Sequence, residues 1–231
     1  MFGFFFRKKL KIDSRAICDR GLARGDNQDC IFEDPERGLF CVADGMGGGE
    51  VGGLASKIVC EEVYGQGEWT SFDAQIVAAD SALLRANRRI REHAAAQGFA
   101  SMGSTVAALL FDVDDPTRAA VVHVGDSRVY RRRDLHLERL TEDHRVSAYS
   151  HLLTRAVGGA DALEPEWLRA SVRKGDVWIV CSDGIHEMIP DSTINALIAR
   201  GGSASDIALR IETSVRKAGA RDNYSLIVVR T

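Results

Sequence analysis

Short apolar runs, each ended within a few residues by glycine, aspartate or proline, constrain this chain more than any other feature. They lie at residues 14–18, 38–43, 104–111, 119–124, 128–132, 135–140, 176–181 and 224–230. Rich in Val, Ile and Leu and bounded by turn residues, they read as strands. Several are apolar throughout, as strands covered on both faces should be. Helical patterns separate them. Phe72, Ile76, Ala79, Leu83, Ala86 and Ile90 recur at spacings of four and three, which draws one apolar stripe along a helix. Thr70 with Asp73 reads as its capping box and Gly98 as its stop. Arg85, Arg88, Arg89 and Arg91 fall off the stripe, on an expected solvated face. A shorter helix is expected after Gly53, another over residues 192–199, and a last one over residues 203–218 with Ile207, Ile211 and Val215 on one side. Short links between strands imply antiparallel pairing, and the helices must cover sheet faces. The expected fold is a layered α+β sandwich.

The 231 residues hold no linker, repeat or low-complexity segment, so residues 13–231 read as one domain behind a tail, residues 1–12. A net charge of −3 gives no global field toward nucleic acid or an anionic membrane. No stretch approaches the ~20 apolar residues of a membrane span. Phe2, Phe4, Phe5 and Phe6 precede Arg7, Lys8 and Lys9, the reverse of a signal-peptide order. The five cysteines, at 18, 30, 41, 60 and 181, form no CxxC pair and show no zinc-ligand spacing with the histidines. Cys41 and Cys181 read as small core residues, and free buried thiols suit a reducing cytoplasm.

Four aspartates stand at strand ends beside glycine or another turn residue. Asp44 closes an apolar run and opens Asp-Gly-Met-Gly-Gly-Gly, and Asp183 closes another and opens Asp-Gly. Asp126 follows Val-Val-His-Val-Gly, and Asp222 precedes Asn223 and the final run. One such Asp-Gly is a turn. Four are harder to dismiss, because a carboxylate gains little beside a core unless a cation needs it. Carboxylates and carbonyls with few histidines select a hard cation, Mg²⁺ or Mn²⁺. Arg24, in Arg-Gly-Asp-Asn-Gln-Asp, is the candidate phosphate clamp, since a guanidinium fork matches phosphate oxygens.

Blocks in a fixed order then make a resemblance specific. They are Gly21-Leu-Ala-Arg-Gly-Asp-Asn-Gln-Asp29, Val42-Ala-Asp-Gly-Met-Gly-Gly48, Met102-Gly-Ser-Thr105 and Val124-Gly-Asp-Ser-Arg128. Leu140-Thr-Glu-Asp-His144, Leu153-Thr-Arg-Ala-Val-Gly158, Cys181-Ser-Asp-Gly184 and Asp222-Asn223 follow. From about Ser14 to its end the chain resembles the PPM family of metal-dependent serine/threonine phosphatases, the type-2C phosphatases, in its compact bacterial form. The resemblance implies an α-β-β-α sandwich, with two mainly antiparallel central sheets flanked by helices and two metal ions at one end. It implies that Asp44 bridges both metals, that the Gly45 carbonyl binds one, that Asp183 and Asp222 hold the second, and that Asp29 steadies a metal-bound water. Asp126 with Asp183 matches a third-metal site of bacterial members; a hairpin turn fixed to Arg128 is the other reading of Asp126. The implied chemistry is attack on phosphorus by a water that two Mn²⁺ or Mg²⁺ ions about 3.5–4 Å apart activate, with Arg24 and the ions offsetting charge on the transferring group. The implied role is that of a cytoplasmic signalling hydrolase, a monomer acting on phosphoproteins of a cognate serine/threonine kinase.

Three departures from the family pattern stand out. Met46 occupies the position where some members carry a histidine general acid, leaving metal-bound water, His144 or His186 for that part. Gln28 replaces a common Glu; its amide would hydrogen-bond a metal-bound water without adding charge. Residues 145–152 are few for a flap, so the site should stand open and peptide selectivity should be low unless docking elsewhere supplies it. Arg131, Arg132 and Arg133 are one candidate docking surface, with an exposed turn the plainer reading. Two rival readings are a pseudophosphatase binding module and a partner-switching regulatory phosphatase. The intact Asp44, Asp183 and Asp222 weigh against the first, and the Arg-to-Asp block around Arg24 against the second.

Overall fold

In the computed structural model, which describes residues 10–67, 69–147 and 152–231, two antiparallel sheets lie face to face between two pairs of helices. The first sheet runs, in spatial order, β1 (Asp13–Asp19), β11 (Tyr224–Arg230), β10 (Val177–Cys181), β7 (Arg128–Arg133) and β8 (His136–Arg139). The second runs β2 (Asp29–Asp34), β3 (Leu39–Met46), β5 (Val106–Phe111), β6 (Arg118–Val124) and β9 (Glu166–Ser171), with the two-residue β4 (Gly103–Ser104) also paired to β3. The expected α+β sandwich is present. The Phe-rich segment and its basic residues, 2–9, fall outside the described residues.

The continuously apolar runs became strands buried on both faces. β5, Val-Ala-Ala-Leu-Leu-Phe, is buried along its whole length. Its alternate side chains enter two different cores. Ala107, Leu109 and Phe111 meet Trp178, Val180 and Ile227 between the sheets. Val106, Ala108 and Leu110 meet the helices α1 (Gly49–Tyr64) and α2 (Phe72–Gln97). On the far side, α4 (Asp191–Ala199) and α5 (Ala204–Lys217) cover the first sheet through Ile194, Ile198, Ile207, Ile211 and Val215.

The stripe expected on α2 is the buried one, with Phe72, Ala79, Leu83, Ala86 and Ile90 inside and Ile76 packed at the edge. Its stop at Gly98 adopts a left-handed φ of 70°, but its cap is Ser71, not Thr70: the Ser71 hydroxyl accepts from the Ala74 N–H. Two of the off-stripe arginines bind the neighbouring helix. Arg85 and Arg89 both reach Glu62 of α1. The α1 helix begins at Gly49, ahead of the start expected after Gly53.

β2 and β9 were not anticipated. Asp-Cys-Ile-Phe-Glu-Asp and Glu-Trp-Leu-Arg-Ala-Ser are mostly half-buried or exposed and carry too little apolar signal. No helix among the described residues is long and apolar enough to cross a membrane. All five cysteines are free thiols.

Candidate metal centre

Both sheets deliver carboxylates to one end of the sandwich. Asp44 near the end of β3 sits directly opposite Asp29 at the start of β2. Asp44 is held by its backbone. Its N–H donates to the Thr105 hydroxyl at 3.0 Å, and its carbonyl accepts from the Thr105 N–H at 2.8 Å and the Ser104 hydroxyl at 3.0 Å. From the other sheet, β10 ends at Cys181, and Ser182 then starts the single turn α3 (Asp183–His186), which carries Asp183. The Ser182 hydroxyl donates to Asp29 Oδ2 at 2.8 Å and accepts from the Ser225 N–H of β11 at 2.9 Å, tying the sheets together under the cluster. Asp222 stands just before β11 and accepts from Arg24 Nη2 at 2.7 Å.

Backbones approach closely here. A Cβ on Gly184 would lie 1.9 Å from the Asn223 carbonyl oxygen, and one on Gly45 would lie 1.8 Å from the Gly52 carbonyl oxygen. Only glycine fits either position. Asn223 is the hub of the loop that bears Arg24. Its side-chain amide donates to the Arg20 and Asp26 carbonyls, both at 2.8 Å, while its Oδ1 accepts from the Gln28 N–H at 2.9 Å. Sequence reasoning noted Asn223 only as part of a block and assigned nothing to Ser182. Asn223 reaches Asp26 across 197 residues and Ser182 reaches Asp29 across 153, so no local pattern marks them.

The electrostatics are those of a cation site. Burial, reinforced by the neighbouring carboxylates, pushes Asp29 up to about 6 and Asp183 up to about 8, and raises Asp44 well above the usual carboxylate range. Asp29 Oδ1 is buried and accepts no hydrogen bond. Such a set is costly to ionise without a cation and offers oxygen ligands only, the donor chemistry of Mg²⁺ or Mn²⁺. The residues fit the metals that the family resemblance implied.

Other expected participants are placed differently. Gln28 Nε2 donates to the Gly49 carbonyl at 2.5 Å, so its amide braces the glycine loop at the start of α1. His144 Nδ1 accepts from the Gly125 N–H at 3.1 Å, which leaves the ring proton on Nε2, facing Glu166 at 3.1 Å; the ring stacks on His123. His186 Nε2 donates to the Asp126 carbonyl, and burial lowers its pKa to about 3. Each imidazole is held by a backbone group. Arg128 pairs with Asp143 at 2.6 Å, not with Asp126; the partner of Asp126 is Arg145, also at 2.6 Å.

Of the short flap, residues 148–151 lie outside the described residues. Its ends double back, with Arg145 bridged to Leu153 and the Val146 N–H donating to the Leu152 carbonyl. A groove of about 620 Å³ opens beside Met46, lined by Phe99, Met102, Arg91 and Arg155 among others. The arginines 131–133 are no free surface. They lie within strand β7, and pair with Glu138, Asn195 and Asp176 respectively.

Comparison with known proteins places this geometry. A family model described as "Protein phosphatase 2C" matches residues 18–212. The serine/threonine protein phosphatase PstP of Mycobacterium tuberculosis is 30% identical over 96% of the chain, which spans only 45% of that relative's length. A solved structure described as PppA, a key regulatory component of T6SS in Pseudomonas aeruginosa, superposes with a TM-score of 0.91 at 30% identity, covering 96% of this chain and 98% of that one. The catalytic domain of PstP, solved in complex with two manganese ions, superposes with a TM-score of 0.84 at 28% identity over 95% of this chain and 97% of that one.

Proposed function

The chain belongs to the protein phosphatase 2C family, and from that premise we propose that it hydrolyses phosphoserine and phosphothreonine monoesters in proteins with Mn²⁺ or Mg²⁺ at the carboxylate cluster. The observation that carries this reading is the meeting of Asp29, Asp44 and Asp183 under burial, with Asp222 and Arg24 at their rim. The phosphatase domain spans residues 13–231. The free cysteines suit a reducing cytoplasm. The manganese-bound relative and the regulatory relative support a metal-dependent enzyme with a signalling role.

When bound, two divalent cations supply positive charge that acidifies water and withdraws charge from phosphate oxygens. Asp44, the Gly45 carbonyl, Asp183 and Asp222 would hold them. Asp29, fixed by Ser182, would offer its unpartnered Oδ1 to a water beside them. Arg24 is the phosphate clamp. Its exposed guanidinium lies in the field of Asp222, Asp183 and Asp44, so a bound phosphate would rest between it and the cluster. Neither histidine supplies the leaving-group proton. His186 is held neutral by burial, and the Nε2 proton of His144 faces Glu166. With Met46 in the adjoining position, the proton comes from water.

Turnover of p-nitrophenyl phosphate and a phosphothreonine peptide, with and without Mn²⁺, tests the reading. Manganese-dependent hydrolysis is expected, and Asp183→Asn should lower kcat at least ~100-fold with an unchanged circular dichroism spectrum. No turnover by the folded chain at saturating manganese would leave a binding module instead.

A further inference from the structure

The resemblance implied a third metal ion between Asp126 and Asp183, but a side chain fills that place. The Arg145 side chain is 8% exposed. Its Nε and Nη2 each lie 2.6 Å from Asp126 Oδ2, and Nη2 is also 2.6 Å from Glu187 Oε1 and 3.7 Å from Asp183 Oδ2. We propose that Arg145 is a built-in cation that replaces a third divalent ion here, so that the centre loads two exchangeable metals and Asp126 is not a metal ligand. This rests on the phosphatase reading above.

The backbone that carries Arg145 is pinned on both sides. The His144 N–H donates to the Gly125 carbonyl at 2.9 Å, the Thr154 N–H donates to the His144 carbonyl at 2.8 Å, and Arg145 bridges to Leu153. The side chain therefore enters the acidic cage from a fixed start. Asp126 is equally enclosed, its side chain 6% exposed, so its charge needs a partner at short range, which Arg145 provides. A divalent ion set between Asp126 and Asp183 would compete with the guanidinium for that volume and would meet a fixed positive charge within contact distance. Arg145 also reaches toward Asp183, which the proposed function places on a metal. It is a positioning residue for that ligand. Removing Arg145 would leave Asp126, Asp183 and Glu187 around a vacated space, an all-oxygen set suited to a hard cation.

Counting Mn²⁺ bound per chain, by equilibrium dialysis against millimolar manganese, tests the assignment. Wild type and Asp126→Asn should each retain about two ions. Arg145→Ala should gain about one more, which Asp126→Asn should remove again in the double variant, while Arg145→Lys should keep the wild-type count. Three ions on wild type with one lost in Asp126→Asn would overturn the proposal. So would a folded Arg145→Ala that gains none. If Arg145→Ala does not fold, the comparison of wild type with Asp126→Asn decides alone. Failure of the phosphatase reading would show separately, as the absence of manganese-dependent hydrolysis by wild type.

Discussion

Arg24 donates to Asp222 at 2.7 Å while 52% of its side chain remains in solvent. An exposed pair of this kind contributes about 0–1 kcal/mol, so the guanidinium is free to exchange one anion for another. That makes phosphate capture and metal binding separable at this residue. Arg24→Ala is expected to raise KM for a phosphothreonine peptide ~10-fold or more, and Arg24→Lys to restore only part, since lysine lacks the fork. Manganese affinity, read by calorimetry, should change little. Poor manganese binding with a normal KM would make Arg24 a brace for Asp222 instead. At the same scale, Asp44, Asp183 and Asp222 were legible because each stands where an apolar run meets a turn. Ser182 was not, because a serine beside an aspartate says nothing until β11 and Asp29 come to lie on either side of its hydroxyl.

Elements place these residues, and the contact of α3 with the start of β11 is the tightest example. A methyl group on Gly184 would sit 1.9 Å from the Asn223 carbonyl, and the backbones would have to part. That movement would carry Asp183 away from Asp222. Gly184→Ala should therefore lose manganese affinity ~10-fold or more as well as about 1–3 kcal/mol of stability. Ser203→Ala is the control, because Ser203 caps α5 in a reciprocal box with Asp206. It should cost about 1 kcal/mol and leave manganese affinity intact. Equal affinities in both variants, measured by calorimetry, would contradict the idea that this glycine sets the spacing of the ligands. Element boundaries were legible where periodicity was strong, as on α2, and not where polar residues carried the strand. β2 is set by its pairing with β3, which brings Asp29 opposite Asp44.

Across the whole molecule, the buried carboxylates make stability depend on metal and pH together. Asp29, raised to about 6, and Asp183, raised to about 8, bind protons in the folded, metal-free chain over a range where the unfolded chain has released them. Their contribution is fully present below the unfolded carboxylate pKa and is lost as pH rises through those folded values. Divalent cations bound at these carboxylates would replace the missing protons. The rise in Tm on adding Mn²⁺ should thus grow between about pH 5 and pH 8, reaching about 5–10 °C at saturating metal. His186, buried and lowered to about 3, destabilises the folded chain in acid, but equally with and without metal, so it cancels in the difference. A metal-induced shift that stays constant or shrinks as pH rises, followed by calorimetric melting, would remove these carboxylates from the metal site.

The sequence alone determined the layered sandwich, because apolar runs bounded by turns can be buried only by stacking sheets beneath helices. It also determined which aspartates end those runs, and through the ordered blocks, the family. Only the tertiary structure decided what those aspartates meet. Asp126 had the same local signature as Asp44 and Asp183, yet Arg145 from a different segment occupies its carboxylate. Gln28, expected to hydrogen-bond a metal-bound water, has its amide on the Gly49 carbonyl. A local pattern specifies where a charge leaves the core, but the partner of a buried charge is chosen by chain segments distant in sequence, and it exists only once the sheets have closed.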